Sequence, residues 1–185
     1  MLTTRDYEVI DFVKEFKVAD TDVISSLFFP NLRMCQYRLK SISDSNKLKR
    51  IRDNVTSKYI YFHKMPNQLN HSLLVTKFYS ELCKFASVSK FRVEPVYNDI
   101  RPDGAFVFNY NGIPTVGLLE IELSNKGFDW NKYIRFCSHD NYKPFMTVQP
   151  TLFIVSDKVK PIDTCFKYHI IDTDFTNLRH SFGIR

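Results

Sequence analysis

The chain has 185 residues, of which 44% are hydrophobic and 15% aromatic, and its formal net charge is +6. This length allows one large domain or two small ones, and the hydrophobic share is sufficient for a packed core. The five glycines form no P-loop or GxGxxG pattern, which argues against a glycine-rich phosphate loop. No apolar run is long enough to span a bilayer and no signal peptide is recognised, so we expect a cytoplasmic protein without a membrane partner.

Positive charge is concentrated in one part of the chain. Residues 31–64 carry nine basic and only two acidic side chains, which leaves a net charge of +7. Residues 1–30 carry three basic and six acidic side chains, a net charge of −3. A basic block beside an acidic one creates an oriented field of the kind that steers proteins onto phosphates. This distribution therefore favours a nucleic-acid partner over a uniformly solvated basic surface.

Three helices are predicted at the start of the chain. Thr3 or Thr4 can cap the first helix, and the inward residues recur at three-residue steps: Tyr7, Ile10, Val13 and Phe16. Residues 18–21 are interpreted as a break, after which a short second helix begins. The third helix runs from about residue 32 to residue 42. Its predicted inward residues are Met34 or Cys35, Leu39 and Ile42.

Two β-like segments, 48–52 and 58–62, follow the third helix and predict a hairpin. Three helices and a two-stranded ribbon are the order of a winged helix-turn-helix, in which the third helix enters the major groove of DNA. We therefore predict a DNA-binding domain over residues 1–64, with double-stranded DNA as its partner. Arg33, Gln36 and Arg38 are the candidates for base edges, because Arg bonds guanine and Gln bonds adenine. The other predicted DNA contacts are Tyr37, Lys40, Lys47, Lys49, Arg50, Arg52 and Lys58.

Residues 65–69 are predicted to link this domain to a second one over residues 70–185. The second domain begins with a helix of about residues 70–85. The predicted elements that follow are a strand at 91–94, a hairpin of 103–110 and 113–123, a helix at 127–137, and strands at 151–155 and 168–171. Continuous apolar runs in the hairpin are typical of strands that are covered on both faces.

Three carboxylates are predicted to meet on this hairpin. Glu120 and Glu122 alternate with Ile121 along one strand, so their side chains point to the same face. The turn at residues 111–112 pairs that strand with the one that starts at Asp103. The carboxylates of such a cluster repel one another unless a cation or a basic partner lies among them, and oxygen-only clusters suit Mg²⁺ or Mn²⁺. Asp103, Glu120 and Glu122 are therefore the candidate metal ligands of a phosphodiesterase site.

The order of helix, three strands, helix and strand resembles the restriction-endonuclease-like core. In that superfamily, the PD-(D/E)xK motif holds the metal ion and the attacking water with an Asp at a strand start and Glu-x-Lys on the next strand. Here Asp103 and the segment Glu120-Ile121-Glu122 occupy those places. Together with the predicted winged helix and a helix led by His71-Ser72-Leu73, these motifs resemble the replication-relaxation family of mobile-element proteins.

This resemblance implies an α+β protein with an N-terminal winged helix-turn-helix and a restriction-endonuclease-like α/β domain built on a central mixed sheet. It implies a sequence-specific DNA-binding protein of a plasmid, phage or integrative element that acts in replication or conjugative transfer. The partners so implied are replication or relaxosome proteins, and a homodimer is a further expectation.

The chain departs from the nuclease pattern because Glu122 stands where an active enzyme usually has Lys. Three alternatives follow. Lys132 on the next helix supplies the amine, with Lys126 as a weaker candidate because it lies in a turn. Alternatively, Glu122 is a third metal ligand. In the third alternative the domain has lost catalysis, needs no metal ion and only binds DNA or a partner.

Three functions remain open from the sequence. The first is a DNA-binding protein with a degenerate nuclease-like domain. The second is an active Mg²⁺- or Mn²⁺-dependent endonuclease in which the catalytic residues are Asp103, Glu120, Glu122 and Lys132. The third is a transcriptional regulator whose second domain dimerises or binds a partner. A short distance between Lys132 and Glu120 would favour the enzyme.

Overall fold

The computed structural model describes residues 1–125 and 127–182. The described residues form five α-helices, two short 3₁₀ helices and eight strands in two sheets, so the predicted α+β class is confirmed. The chain divides into two compact units, Met1–Ser80 and Glu81–Arg185, and the division falls inside the fourth helix. The predicted linker, 65–69, ends at the first residue of that helix.

The first unit contains three helices, a three-stranded sheet and most of a fourth helix. Its elements in chain order are α1 (Thr4–Phe16), β1 (Val18–Asp20), α2 (Thr21–Phe28), α3 (Leu32–Asp44), β2 (Lys49–Arg52), β3 (Tyr59–Phe62) and α4 (Leu69–Cys83), which continues into the second unit.

Local side chains fix the ends of these helices. Thr3 and Asp6 form a reciprocal capping box at the start of α1, and α1 ends at Lys17, where the backbone φ is 70°. Asp20 and Asn31 cap α2 and α3, because each side-chain oxygen accepts a backbone N–H from three residues further on. The short loops between the helices thus leave few unsatisfied backbone donors.

The sheet of the first unit has the strand order β1–β3–β2, and both pairings are antiparallel. Phe62 of β3 lies opposite both Val18 of β1 and Lys49 of β2. The interpretation of residues 18–20 as a mere break is wrong, since they form β1. A strand of three residues is too short to show the alternation by which strands are recognised.

The inward side of α1 differs from the prediction at its first position. Tyr7 is 51% exposed, whereas Val9 and Phe12 are buried beside the predicted Ile10, Val13 and Phe16. Steps of three residues drift around a helix that has 3.6 residues per turn, so a strict three-residue pattern misses part of the buried stripe.

The second unit contains a five-stranded sheet and one helix after α4. Its elements are β4 (Ser87–Val93), β5 (Gly104–Tyr110), β6 (Ile113–Ile121), α5 (Trp130–Cys137), β7 (Thr151–Val155), β8 (Tyr168–Ile171) and the 3₁₀ helices Ser138–Asp140 and His180–Phe182.

The strand order in this sheet is β4–β5–β6–β7–β8. Strands β4, β5 and β6 are antiparallel neighbours, and β6, β7 and β8 are parallel neighbours, so the predicted mixed sheet is confirmed. The β5–β6 turn consists of Asn111 and Gly112, which both have positive φ (51° and 81°), as a two-residue hairpin requires. The parallel β6–β7 pair requires a crossover, and α5 lies within it.

The two faces of the five-stranded sheet differ in composition. One face, called here the α5 face, packs against Tyr133 and Phe136 of α5 and consists of Ala105, Leu118, Glu120, Leu152 and Ile154. The opposite face, called here the phenylalanine face, carries Phe91, Phe106, Phe108 and Phe153, whose rings contact one another. Glu120 is therefore a carboxylate on the face that α5 covers.

Candidate functional site

Glu120 lies near the end of β6 and is only 9% exposed. The strand holds it in register with Ile154 of β7 on one side, and α5 covers it from above. Its Oε1 atom accepts a hydrogen bond of 2.6 Å from Lys132 Nζ and a second hydrogen bond from the Tyr133 hydroxyl. A buried carboxylate is thus bonded to two donors from consecutive residues of one helix.

Asp103 is fixed beside Glu120 by hydrogen bonds to Leu119 and Ile121, the two residues that flank Glu120. The Asp103 backbone N–H donates to the Leu119 carbonyl (2.9 Å), and Asp103 Oδ2 accepts from the Ile121 backbone N–H (2.7 Å). The next residue, Gly104, has no room for a side chain, because a Cβ atom there would lie 2.7 Å from the Phe91 ring. The absence of a side chain at Gly104 therefore lets the start of β5 pack closely against Phe91 of β4.

The surroundings of Glu120 hold it near the middle of its titration at neutral pH. Burial, and then the neighbouring Asp103 carboxylate, raise the pKa of Glu120 to about 7, against the opposing effect of Lys132 and Tyr133. Burial and the Glu120 carboxylate raise the pKa of Tyr133 well above its ordinary value, so Tyr133 remains a hydroxyl donor. A carboxyl group that gains and loses a proton near pH 7 is suited to acid–base chemistry.

Lys132 reaches Glu120 because of where α5 begins. Asp129 caps α5 by accepting a hydrogen bond from the Asn131 backbone N–H (3.1 Å), which starts the helix at Trp130, three residues after the predicted start. From this position the Lys132 side chain, which is 27% exposed, extends along the helix to the sheet. The weaker candidate, Lys126, lies outside the described residues.

Glu122 follows the last residue of β6 and contacts a different part of the chain. Its backbone N–H donates to the Val155 carbonyl (2.9 Å), and its Oε1 accepts from the Ser124 backbone N–H (2.7 Å). In residues 1–125 and 127–182, no three His, Cys, Asp or Glu side chains are grouped in a way that could hold a metal ion. A role for Glu122 as a third metal ligand stays a prediction.

Asp103 and Glu120 still offer the donors that a divalent cation needs. Mg²⁺ is often bound by one or two carboxylates and completed by waters and substrate phosphates, so two adjacent carboxylates are sufficient protein ligands. Burial is the first cause of the raised pKa of Glu120, and the neighbouring Asp103 carboxylate is the second, as expected where two carboxylates lie close together. The residues present therefore fit such a cation, with Asp103 and Glu120 as the groups that would hold it.

In the first unit, the predicted DNA contacts of α3 are mostly exposed. Arg33, Gln36, Tyr37 and Lys40 all face solvent, and Tyr37 is 68% exposed. The predicted inward residues Cys35, Leu39 and Ile42 are fully buried, whereas Met34, the alternative to Cys35, is 44% exposed. Helix α3 thus presents a polar and basic side opposite its buried side.

Arg38 differs from the other predicted contacts on α3. Its guanidinium donates from Nε to Asp6 Oδ1 (3.0 Å) and from Nη2 to the other oxygen of Asp6, whose side chain is completely buried. Burial acts to raise the pKa of Asp6, but hydrogen bonds from Arg38 and Thr3 outweigh it and keep the pKa below its ordinary value. The pair joins α1 to α3, so the guanidinium is already engaged within the protein.

The hairpin of β2 and β3 presents several cations at its surface. Lys47, Lys49, Arg50 and Arg52 are exposed, and the Arg50 guanidinium lies over the Tyr59 ring, 4.6 Å from its centroid. The remaining predicted contact on the hairpin, Lys58, forms an ion pair with Asp22 that is partly exposed. Four of the five predicted hairpin contacts therefore have no carboxylate partner among the described residues.

Sequence reasoning missed the roles of Tyr133 and Asp6. Tyr133 lies within the helix predicted at 127–137 and was not singled out as a site residue, yet its hydroxyl bonds Glu120. In the sequence, Asp6 is simply one of the six acidic residues within residues 1–30. Its position at the third residue of a capping box was the available signal that its carboxylate is used locally.

Comparison of the chain with protein-family models, with curated proteins and with solved structures found no match in any of the three. Within the part of the chain that the structure describes, none of the helices has the combined length and apolar character needed to cross a bilayer.

Proposed function

We propose that this protein binds double-stranded DNA through its first unit. The observation that carries the proposal is the arrangement of cations there: the exposed side of α3 and the β2–β3 hairpin bear most of the excess positive charge, and most of it is unpaired. Phosphate contacts by Lys and Arg supply most of the affinity of proteins for DNA.

The order of elements in the first unit supports the finer assignment to a winged helix-turn-helix. Helix α1, strand β1, helices α2 and α3, and the β2–β3 hairpin follow one another in the sequence of that domain, with α3 as the recognition helix. Arg33 and Gln36 are the proposed base contacts, and Lys49, Arg50 and Arg52 the proposed phosphate contacts. Arg38 instead supports α3 through Asp6.

The second unit supports the assignment to a restriction-endonuclease-like fold. An antiparallel meander of β4, β5 and β6 is followed by a crossover helix and a parallel strand, with Asp103 before the second strand and Glu120 on the third. We propose that the whole protein serves a plasmid, phage or integrative element in replication or conjugative transfer. Replication or relaxosome proteins and a second copy of the chain are the proposed partners.

One observation favours active DNA cleavage as a second candidate function. Lys132 Nζ lies 2.6 Å from Glu120, so an amine stands beside the carboxylate pair although Glu122 replaces the lysine of the nuclease motif. Mg²⁺ or Mn²⁺, bound by Asp103 and Glu120, would supply Lewis-acid chemistry at the scissile phosphate. Lys132 would neutralise charge that develops on the phosphate, and Tyr133 would fix the orientation of Glu120.

The regulator alternative expects Asp103 and Glu120 to point apart or into a subunit contact. The Asp103 carboxylate is instead close enough to raise the pKa of Glu120, which speaks for a shared site. Asp103 bonds the Ile121 backbone, and Lys132 and Tyr133 both bond Glu120, so these side chains converge on one position.

A combined binding and cleavage assay tests both candidates. Supercoiled and linear DNA from the neighbourhood of the gene is incubated with the full chain and Mg²⁺ or Mn²⁺. Asp103→Ala and Glu120→Ala serve as site variants, and Asp163→Ala, an exposed residue of the same unit, as the control. Metal-dependent nicking that both site variants lose supports the endonuclease. Site-specific binding without cleavage supports the DNA-binding protein alone, and no DNA binding by the intact chain refutes both.

A further inference from the structure

A cavity of about 220 Å³ lies on the α5 face of the second unit, beside the edge strand β4. Lys90 and Arg92 of β4 line one side, and Tyr97, Phe145 and Thr147 line the other. None of its lining residues is acidic. The cavity therefore combines two cations and two aromatic rings on a floor of small apolar side chains.

A β-bulge places both cations on this face. The register of β4 against β5 shifts between Val88 and Lys90, which leaves Ser89 as the extra residue. Because side chains alternate between faces, an unbulged strand would turn Lys90 and Arg92 to the phenylalanine face and Phe91 to the cavity. With the bulge, Lys90 pairs with Val107, and Arg92 pairs with Ala105, on the cavity side.

Neither cation is neutralised by another residue in the described part of the chain. Among the described residues, Lys90 and Arg92 take part in no ion pair, and the nearby Glu94 pairs with Arg101 instead. Both side chains belong to exposed residues on an edge strand, so a ligand can reach them. Two unpaired cations at one opening are complementary to an anion such as a phosphate.

The aromatic side of the cavity is held in place before any ligand binds. The Tyr97 ring stacks on Phe136 of α5 (centroids 6.2 Å apart) and contacts Phe145 at 5.3 Å. Reciprocal backbone hydrogen bonds between Tyr97 and Ile100 (2.9 and 3.0 Å) close the turn that carries the ring. Phe145 remains 41% exposed, which leaves part of its ring available for stacking.

We propose that this cavity binds one nucleotide, with its base against Phe145 and Tyr97 and its phosphate on Lys90 and Arg92. Aromatic rings that stack a base beside cations that follow the backbone are the usual means of binding a single strand. The volume is below the roughly 300–1,000 Å³ of drug-sized pockets, which suits one base and excludes a duplex.

This inference rests on the proposed function, because it assigns an unpaired nucleotide of the DNA substrate to the second unit. Val116 of the cavity and Glu120 lie four residues apart on β6 and point to the same face, a separation of about 13 Å. A single strand held in the cavity would therefore extend towards the Asp103–Glu120 pair. The substrate so described has a gap, a flap or a single-stranded end.

The test measures the binding of a short fluorescein-labelled oligothymidylate and of thymidine monophosphate to the full chain. The cavity variants are Lys90→Gln with Arg92→Gln, and Phe145→Leu, which removes only the ring. The matched control is Lys160→Gln with Lys167→Gln, which removes two exposed cations of the same unit that do not line the cavity. Binding of fully paired duplex is measured on the same preparations, and thermal unfolding confirms that each variant is folded.

We expect the loss of both cations to weaken oligothymidylate binding about tenfold and to lower its salt slope by about 1.4. Phe145→Leu weakens it at least about fivefold, and the control leaves it unchanged. If thymidine monophosphate competes with oligothymidylate, a free nucleotide is sufficient for binding to the cavity. If it does not compete, binding requires a strand. Both results agree with the inference.

Cavity variants that bind both probes like the unchanged protein would overturn the inference, as would an unchanged protein that binds neither probe. In either case, intact duplex binding would leave the proposed function standing. Conversely, cavity-dependent binding of oligothymidylate without any duplex binding would keep the inference and refute the proposed role of the first unit.

Discussion

Lys132 of α5 and Glu120 of β6, twelve residues apart in the chain, meet in a hydrogen bond of 2.6 Å at a largely buried position. The amine thus comes from a helix, although the nuclease motif places it two residues after the carboxylate on the strand. Because Lys132 lies beside Glu120, the site holds a positive charge although residue 122 is a glutamate.

The raised pKa of Glu120 predicts that the stability of the second unit falls as the pH rises. Because this pKa is about 7 in the folded protein and 4.5 ordinarily, the folded state holds the proton more tightly. The stabilisation is complete below the ordinary pKa and is lost as the pH rises through the folded pKa. Above pH 7, the free energy of unfolding of Glu120→Gln should therefore exceed that of the unchanged protein by up to about 3 kcal/mol. At low pH the two free energies should be equal.

Urea unfolding at about pH 4 and about pH 8 measures this difference. Asp163→Asn, an exposed acid of the same unit, is the control and should show no such dependence. An equal effect of Glu120→Gln at both pH values would contradict the assigned environment of Glu120.

For the endonuclease candidate, Lys132→Gln should change both the rate of cleavage and its pH dependence. Lys132 opposes the rise in the pKa of Glu120, so its removal raises that pKa further and moves the acidic limb of the pH–rate profile to higher pH. The loss of one electrostatic donor should also lower the rate by about 10²–10³. The control is Lys143→Gln, whose partner is the surface residue Asp140. If Lys132→Gln is slower but its pH–rate profile does not move, Lys132 acts only on the phosphate and not on the pKa of Glu120.

Arg38→Met should destabilise the first unit by about 3 kcal/mol, because it leaves the Asp6 carboxylate buried without its cation. Arg33→Met, on the exposed side of the same helix, should cost less than about 0.5 kcal/mol. Chemical unfolding compares the two variants. Similar stabilities would mean that the Arg38–Asp6 pair does not join α1 to α3, and Arg38 would return to the proposed base contacts.

Lys49→Gln together with Arg50→Gln should lower the salt slope of duplex binding by about 1.8, as expected for two lost phosphate contacts. The variants keep the β2–β3 hairpin, whose turn is stabilised by the Asp53 carboxylate through the Thr56 backbone N–H (3.1 Å). Binding is measured over a series of salt concentrations, with Lys160→Gln plus Lys167→Gln as the control. A slope that does not change would remove the hairpin from the DNA interface.

Gly117→Ala should destabilise the second unit by about 1–3 kcal/mol through overpacking. A Cβ atom at this position would lie 2.3 Å from the Phe106 ring, which covers Gly117 on the phenylalanine face. Phe106→Leu in the same chain should recover part of the loss, since it removes the ring that the new methyl group meets. Thermal unfolding of the single and double variants measures this recovery, and strictly additive effects would contradict the contact.

Two short strands of the five-stranded sheet could be predicted closely from the sequence. Strands β7 and β8 begin and end where predicted, because each is a short apolar run between polar segments. Strand β4 was predicted from residue 91 to residue 94, whereas it starts at Ser87 and ends at Val93. Its polar first half carries little strand signal, and Glu94 has a positive φ of 50° that ends the strand.

The candidate site could be predicted only in part. The pairing of Asp103 with Glu120 followed from strand alternation and a turn, which are local properties. Whether Lys132 supplies the amine beside Glu120 depends on where α5 starts. The Asp129 cap that sets this start was not recognised in the sequence. The Arg38–Asp6 pair joins residues that are 32 positions apart. Neither the charge pattern nor the periodicity of the sequence indicates which of the basic residues of α3 bonds a buried carboxylate.

The unlike faces of the five-stranded sheet bear on how this protein can evolve. The ring contacts of the phenylalanine face, including that of His169 with Phe153, lie on the opposite side of the sheet from Glu120. Substitutions at Glu120 or Lys132 therefore leave those ring contacts in place. In a lineage with this architecture, the residues around Glu120 can change while the scaffold persists.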